Sequence, residues 1–239
     1  MITFSFGLSE KFKKYFKIIE LHNEYESIAK LRNDYLYNYL FDLAIRIITL
    51  SNRTDLKVEI LNDLEKIRQK NKSKTTKNNI ELLKNKIEKI KIKHMESLHH
   101  NRLLQEIKIR LSSPNGLTQE DFPLYKQWNN KQEKKEKTAL LKGLFKEFSP
   151  LKDGINFILT NLKKTQLRES TKASKSTVQI KLDPNIKYEA AEIALQSSSN
   201  FFPSISANKY TLNINLISAD KAIFIKPKTH KLLVTIFYL

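Results

Sequence analysis

The chain has no cysteine. That excludes a disulfide framework, thiolate zinc sites and a cysteine nucleophile, and it suits a reducing compartment. Glycine is scarce as well, with four in 239 residues. This leaves little material for a phosphate cradle, and no glycine-rich loop, nucleophile elbow or zinc spacing is found. Long apolar runs are also missing. The run from Leu40 to Leu50 is broken by Asp42 and Arg46, and the final LLVTIFYL is too short to span a bilayer as a helix. The N-terminal ITFSFGLSEKFKK places its charges after its apolar residues, the reverse of the secretory order. These absences predict a soluble cytoplasmic protein with no membrane insertion, no cofactor and no metal. His99 and His100 do not change that, because adjacent helical residues project about 100° apart and chelate one ion poorly. Carboxylate pairs such as Glu10/Glu20 have no supporting motif, so the chain is not expected to be an enzyme.

Acidic residues are in deficit: 25 Asp and Glu face 43 Lys and Arg, a formal net charge of +18. An acidic partner follows, whether protein segment, anionic lipid or nucleic acid. The surplus is uneven. Lys66 to Lys93 holds 11 basic and 2 acidic residues, half the total excess. Lysine, asparagine and isoleucine are abundant throughout, so much of the lysine reads as solvated surface. Arginines are fewer and less readily explained by composition, and their planar guanidinium can hold a carboxylate through two hydrogen bonds.

Hydrophobic residues make up 40% of the chain, enough for a folded core. Residues 2–6 alternate as a short strand. Ser9 then caps a helix whose apolar face carries Phe12, Tyr15, Phe16 and Ile19. Glu24 to Leu50 and Asp55 to Gln69 keep helical spacing. Residues 70–79, KNKSKTTKNN, read as a polar loop. Ile80, Leu83, Ile87 and Ile90 suit a helix folded back as an antiparallel hairpin. A basic amphipathic helix follows from Arg102, stopped by Ser113-Pro114-Asn115-Gly116. Asp121 and Pro123 open a second short helix that carries Trp128, the one tryptophan, read as core. Residues 133–146 form another helix. Ser149 and Pro150 open the next, in which Gly154 permits close packing.

After Lys164 the period becomes two. Val178, Ile180 and Leu182, then Ala191, Ile193 and Leu195, then Tyr210, Leu212, Ile214 and Leu216, then Ile223 and Ile225, and finally Val234, Ile236 and Tyr238 point to strands, with 197–208 as a connection. The fold class is therefore α+β: a helical domain over 9–165, then an antiparallel β-rich domain over 166–239, with the N-terminal strand (2–7) joining the sheet. Basic side chains stand beside apolar ones at Arg102, Lys108, Arg110 and Lys126, at the junction with Lys163, Lys164 and Arg168, and at Lys209.

Several segments resemble one family in order. RLLQEIKIRLSSPNGLTQEDFPLYKQW is similar to the "R-L-x-x-x-I-x-x-R-L-S-x-P-x-G, then D-x-P-x-x-x-x-W" pattern of ZapD, the Z-ring-associated cell division proteins. FSFGLSEKFKKYFKI, LKVEILNDLEKIRQK, SPLKDGINFILTNLKKTQLRE and FFPSISANKYTLNINL resemble further family segments, although Gly7 stands at a usual proline. The resemblance implies a cytoplasmic homodimer at the division site. It would bind the acidic and apolar C-terminal tail of FtsZ and bundle its protofilaments, supporting the Z-ring and septation. By position the family's anion-binding groove residues fall at Lys13, Lys17, Arg102, Lys126, Arg168 and Lys209. Two family arginines on the sheet are Thr211 and Asn215 here. The alternative function is basic nucleic-acid binding, for which no RNP, KH or zinc-finger motif is present.

Overall fold

A computed structural model describes residues 1–31, 36–51, 54–90, 102–112, 121–131, 133–163, 166–173, 177–196, 201–218 and 230–238, the side chains of 54, 111, 112, 166–173, 230 and 231 excepted. Outside these lie Tyr35, the pair His99-His100, the Ser113–Gly116 stop and the Ile223/Ile225 alternation. The order is β1 (Ile2–Gly7), α1 (Glu10–Ile28), a 3-10 turn (Ala29–Leu31), α2 (Tyr37–Ser51), α3 (Thr54–Lys70), α4 (Lys74–Glu88), α5 (Arg102–Ser112), α6 (Pro123–Lys131) and α7 (Lys134–Leu162). Six strands follow: β2 (Gln166–Ala173), β3 (Thr177–Lys181), β4 (Tyr188–Leu195), β5 (Phe201–Ala207), β6 (Thr211–Ser218) and β7 (His230–Tyr238). The α+β expectation holds. The chain divides into two compact units, 1–16 with 159–239, and 17–158. Among the described residues, no helix is long and apolar enough to cross a membrane.

The first unit contains two antiparallel sheets, ordered β1-β4-β7-β2 and β3-β6-β5. The N-terminal strand does join a sheet: Ile2 pairs with Leu195 and Gly7 with Ala190. The alternation read in the sequence becomes burial, since Ile180, Leu182, Ile193, Leu195, Leu212, Ile214, Leu216, Val234 and Ile236 form one core to which both sheets contribute. Tyr210 departs from it: it lies in a turn before β6 and is 61% exposed. The expected connection over 197–208 contains β5 instead. Pro203 hides that strand from sequence reading, because proline donates no ladder hydrogen bond. It is tolerated because, among the described residues, β5 is an edge strand paired to β6 alone.

Ser9 caps α1 as expected, its hydroxyl oxygen accepting the Phe12 N–H at 3.3 Å. Phe12, Tyr15, Ile18 and Leu21 are buried along it, whereas Phe16 and Ile19 are half-buried. The helical pattern expected from Glu24 to Leu50 is not continuous. α1 ends at Ile28, α2 begins at Tyr37, and Leu31 between them is 67% exposed.

In the second unit, α3 and α4 form the expected hairpin. Lys84 meets Glu65 at 3.0 Å, and Lys57 donates to the Glu88 and Ile90 carbonyls at the end of α4. Hydrogen bonds from Arg68 and then Lys84 hold the Glu65 carboxyl down at about 2. The polar loop expected over 70–79 is largely helix. Ser73 is its N-cap, accepting the Thr76 N–H at 3.3 Å, and the Lys, Thr and Asn residues of the first turns are mostly exposed. Low sequence complexity marked a solvated helix end, not a loop.

The break expected at Ser149-Pro150 is also absent: α7 runs from Lys134 to Leu162 with Pro150 inside it. Pro150 has no N–H for the Lys146 carbonyl four residues back. The Ser149 hydroxyl donates to that carbonyl instead, at 2.8 Å. Gly154, one turn on, lets α7 close on the hairpin: a Cβ there would lie 2.8 Å from Ile87 Cδ1 and 3.2 Å from Ile60 Cγ2. Gly154→Val is expected to destabilise the protein by about 2 kcal/mol through overpacking, despite its better helix propensity. Urea unfolding with an unchanged slope checks this.

Candidate functional site

The basic amphipathic helix and the short tryptophan-bearing helix read in the sequence fold as the pair α5–α6. On α5, Leu104 and Ile107 are buried and Leu103 is half-buried. On α6, Tyr125 and Trp128 are buried. Pro123 sits at the first position of α6, where its missing N–H is harmless. Tyr125, two residues later, has an N–H without an intrahelical acceptor. Glu106 of α5 takes it, at 2.9 Å. Arg110, one helical turn from Glu106, lies with its guanidinium 4.6 Å from the Tyr125 ring centroid. The Tyr125 hydroxyl donates to Asn38 Oδ1 on α2. Burial pushes that hydroxyl's pKa up, and Arg110 opposes the shift.

Trp128 is core, as expected. Its ring meets Phe41 edge-on at 4.8 Å. The Lys137 ammonium lies 5.1 Å from the ring centroid and donates to the Asn129 carbonyl at 2.6 Å. Lys137 is thus a buried structural lysine that sequence reading did not single out.

The eight expected anion-binding residues are divided between the two units. Lys13, Arg168 and Lys209 belong to the first unit, and Lys17, Arg102, Lys108, Arg110 and Lys126 to the second. Arg110 lies against Tyr125, the residue before Lys126. Arg102 is exposed roughly 12 Å along α5 from Arg110, and Lys108 projects about 160° away from Arg110 around the same helix. Lys13 is half exposed and paired with Glu10 at 2.6 Å, and Lys17 with Glu20 at 3.0 Å. Lys13 holds the Glu10 carboxyl below its ordinary pKa. These local pairs contribute little stability in solvent, so an incoming carboxylate can displace them at small cost.

Arg168 stands in the edge strand β2 opposite Thr235, and its side chain is outside the described residues. Lys209 lines a cleft of about 470 Å³ with Leu8, Asn185, Lys187 and Asn208. Lys187 was not singled out in the sequence. Thr211 and Asn215 hold short polar contacts: Thr211 Oγ1 donates to Asn208 at 3.1 Å, and Thr177 Oγ1 to Asn215 at 2.7 Å. That sheet therefore offers hydroxyl and amide groups there rather than guanidinium. Among the described residues, no cluster of three or more His, Asp or Glu could hold a metal.

The family model described as "ZapD: Cell division protein" matches residues 18–215, most of the chain and both units. The chain belongs to the ZapD family. It is similar to the cell division protein ZapD of Bordetella pertussis, with 26% identity over 231 residues, 92% of this chain and 90% of that protein. The ZapD of Azoarcus sp. is 24% identical over 229 residues, covering 91% and 90%. That of Nitrosomonas europaea is 23% identical over 234 residues, covering 91% and 87%. At such identity, membership of the ZapD family identifies a cell division protein and leaves individual side chains free to differ, as at Thr211 and Asn215.

Proposed function

We propose that the protein binds the acidic, apolar C-terminal tail of FtsZ and, as a homodimer, cross-links protofilaments at the division site, with a non-enzymatic role in the cytoplasm. The observation that carries this reading is the ZapD family match over residues 18–215. The net charge of +18 complements an acidic tail. Exposed Arg102 on α5 and Lys126 on α6 supply charge-assisted hydrogen bonds to tail carboxylates, Lys17 adds a third cation, and the exposed Ile109 offers apolar contact. Arg110 is committed to Tyr125 and positions the α5–α6 pair. A two-fold dimer presents two tail sites, which is what bundling requires.

Co-sedimentation with FtsZ filaments tests this. The protein is expected to pellet with filaments and bundle them, and to do neither with tail-deleted FtsZ. Arg102→Glu combined with Lys126→Glu is expected to reduce the bound fraction by about tenfold, since two attractive contacts become repulsive. Bundling that survives tail deletion overturns the tail mechanism. A monomer at micromolar concentration in sedimentation overturns the cross-linking.

A further inference from the structure

The second unit carries a cleft of about 920 Å³ at the C-terminal end of α1, bounded also by the start of α2 and the first turns of α7. We propose that this cleft is a second docking site, for a short protein segment that alternates carboxylates with apolar side chains. It lies on none of the residues to which the ZapD resemblance assigns anion binding.

The charge of the cleft is one-sided. Lys30, Lys134, Lys135 and Lys142 line it, and none of its lining residues is acidic. Lys30, Lys135 and Lys142 form no ion pair among the described residues. By contrast, Glu26 at the end of α1 is already engaged by Lys152 at 2.7 Å. Lys135 and Lys142 are seven residues apart and so share one face of α7, roughly 10 Å from each other along the axis. Ala139 lies between them and is itself exposed. The spacing matches carboxylates three residues apart in an extended chain or two turns apart on a helix.

The floor is apolar. Leu40 and Leu141 are buried at its base and Ile28 is half-buried. An apolar floor under a lysine rim suits a ligand with both characters, which a free inorganic anion lacks. Each aromatic ring of the lining already has a partner on one face. Tyr25 stacks on Phe145 with centroids 3.4 Å apart. Tyr37 shares a hydrogen bond of 2.9 Å with Thr138, and Lys137 sits 5.7 Å from its ring centroid. One face of each ring is thus taken by a side chain of the same unit, and the rim has no arginine, so charge and shape favour peptide over single-stranded nucleic acid.

The test uses the full chain and a fluorescein-labelled peptide that repeats aspartate-leucine-leucine, so that its carboxylates recur every three residues, read by fluorescence anisotropy. Ala139→Trp fills the cleft without changing charge, at a position exposed enough to accept it. It is expected to weaken peptide binding by about tenfold or more, as is Lys135→Glu with Lys142→Glu. All of these measurements are made in an Arg102→Glu/Lys126→Glu background, which removes binding of the same acidic, apolar probe at α5–α6. Undiminished affinity in Ala139→Trp overturns the proposal. So does an oligothymidine probe, or a vesicle of anionic lipid, that loses binding in Ala139→Trp while the peptide does not. Because the α5–α6 cations are reversed in this background, the result is independent of the FtsZ reading: loss of FtsZ co-sedimentation leaves it standing, and failure here leaves the α5–α6 site untouched.

Discussion

Gly7→Ala is expected to lower the unfolding midpoint by about 10 °C, the equivalent of about 3 kcal/mol for a protein of this size. The cause is backbone against backbone. A Cβ on Gly7 would press on the Lys13 nitrogen and lie 2.7 Å from the Phe12 carbonyl carbon and 2.9 Å from the Lys13 Cα. No rotamer change relieves that, so β1 or α1 must move. Neither is free to do so. The Leu8 and Ser9 N–H groups both donate to the Glu189 carbonyl, at 2.9 and 3.3 Å. Glu189 is the extra residue where the β4–β7 register shifts between Tyr188 and Ala190. Its buried carboxylate meets Lys11 of α1 at 3.4 Å. The corner is therefore held by the strand, the bulge and the helix together. A proline at position 7, the usual family residue, carries the same Cβ and is expected to destabilise this chain too. Thermal unfolding followed by far-UV circular dichroism checks both variants, and a midpoint within about 2 °C of wild type contradicts the close approach.

What the sequence revealed follows from the range of each interaction. Strands with clean alternation were legible because period two translates directly into burial, as Ile180, Ile193, Ile214 and Val234 show. β5 and the continuity of α7 were not legible, because each contains a proline whose usual meaning is a break. In β5 the edge position removes the need for an N–H. In α7 the hydroxyl of Ser149 engages the carbonyl that Pro150 leaves without a donor. Both compensations depend on a neighbour in space or one residue away, which composition and spacing do not report.

The candidate site was legible to the same extent. The stretch around Arg102, Arg110 and Lys126 stood out, but only the structure ties Arg110 to Tyr125 and separates it from Lys108 on the helix. The lysines of the 920 Å³ cleft did not stand out, since Lys30 and Lys142 are separated by α2 to α6 in the chain and converge only on folding.

Acid sensitivity is the second large expected effect, and it centres on His22. This side chain is 3% exposed, and its Nε2 finds no hydrogen-bond partner among the described residues. It meets Phe145 edge-on at 5.8 Å. Burial, reinforced by the Lys152 charge and partly offset by Glu26, lowers its pKa from 6.5 to about 4. The folded protein thus keeps the imidazole neutral down to about pH 4, whereas the unfolded chain protonates it near pH 6.5. Between those values the unfolded state binds the extra proton, so this contribution is complete above pH 6.5 and declines as pH falls toward 4. A shift of this size corresponds to roughly 3 kcal/mol. His22→Phe removes the titrating group and keeps an aromatic ring beside Phe145. Its stability is expected to stay nearly flat across that window, apart from the carboxylates common to both proteins. Subtracting the urea-unfolding free energies of variant and wild type at each pH isolates the His22 contribution. Parallel curves between pH 6.5 and 4 contradict a buried neutral histidine at this position.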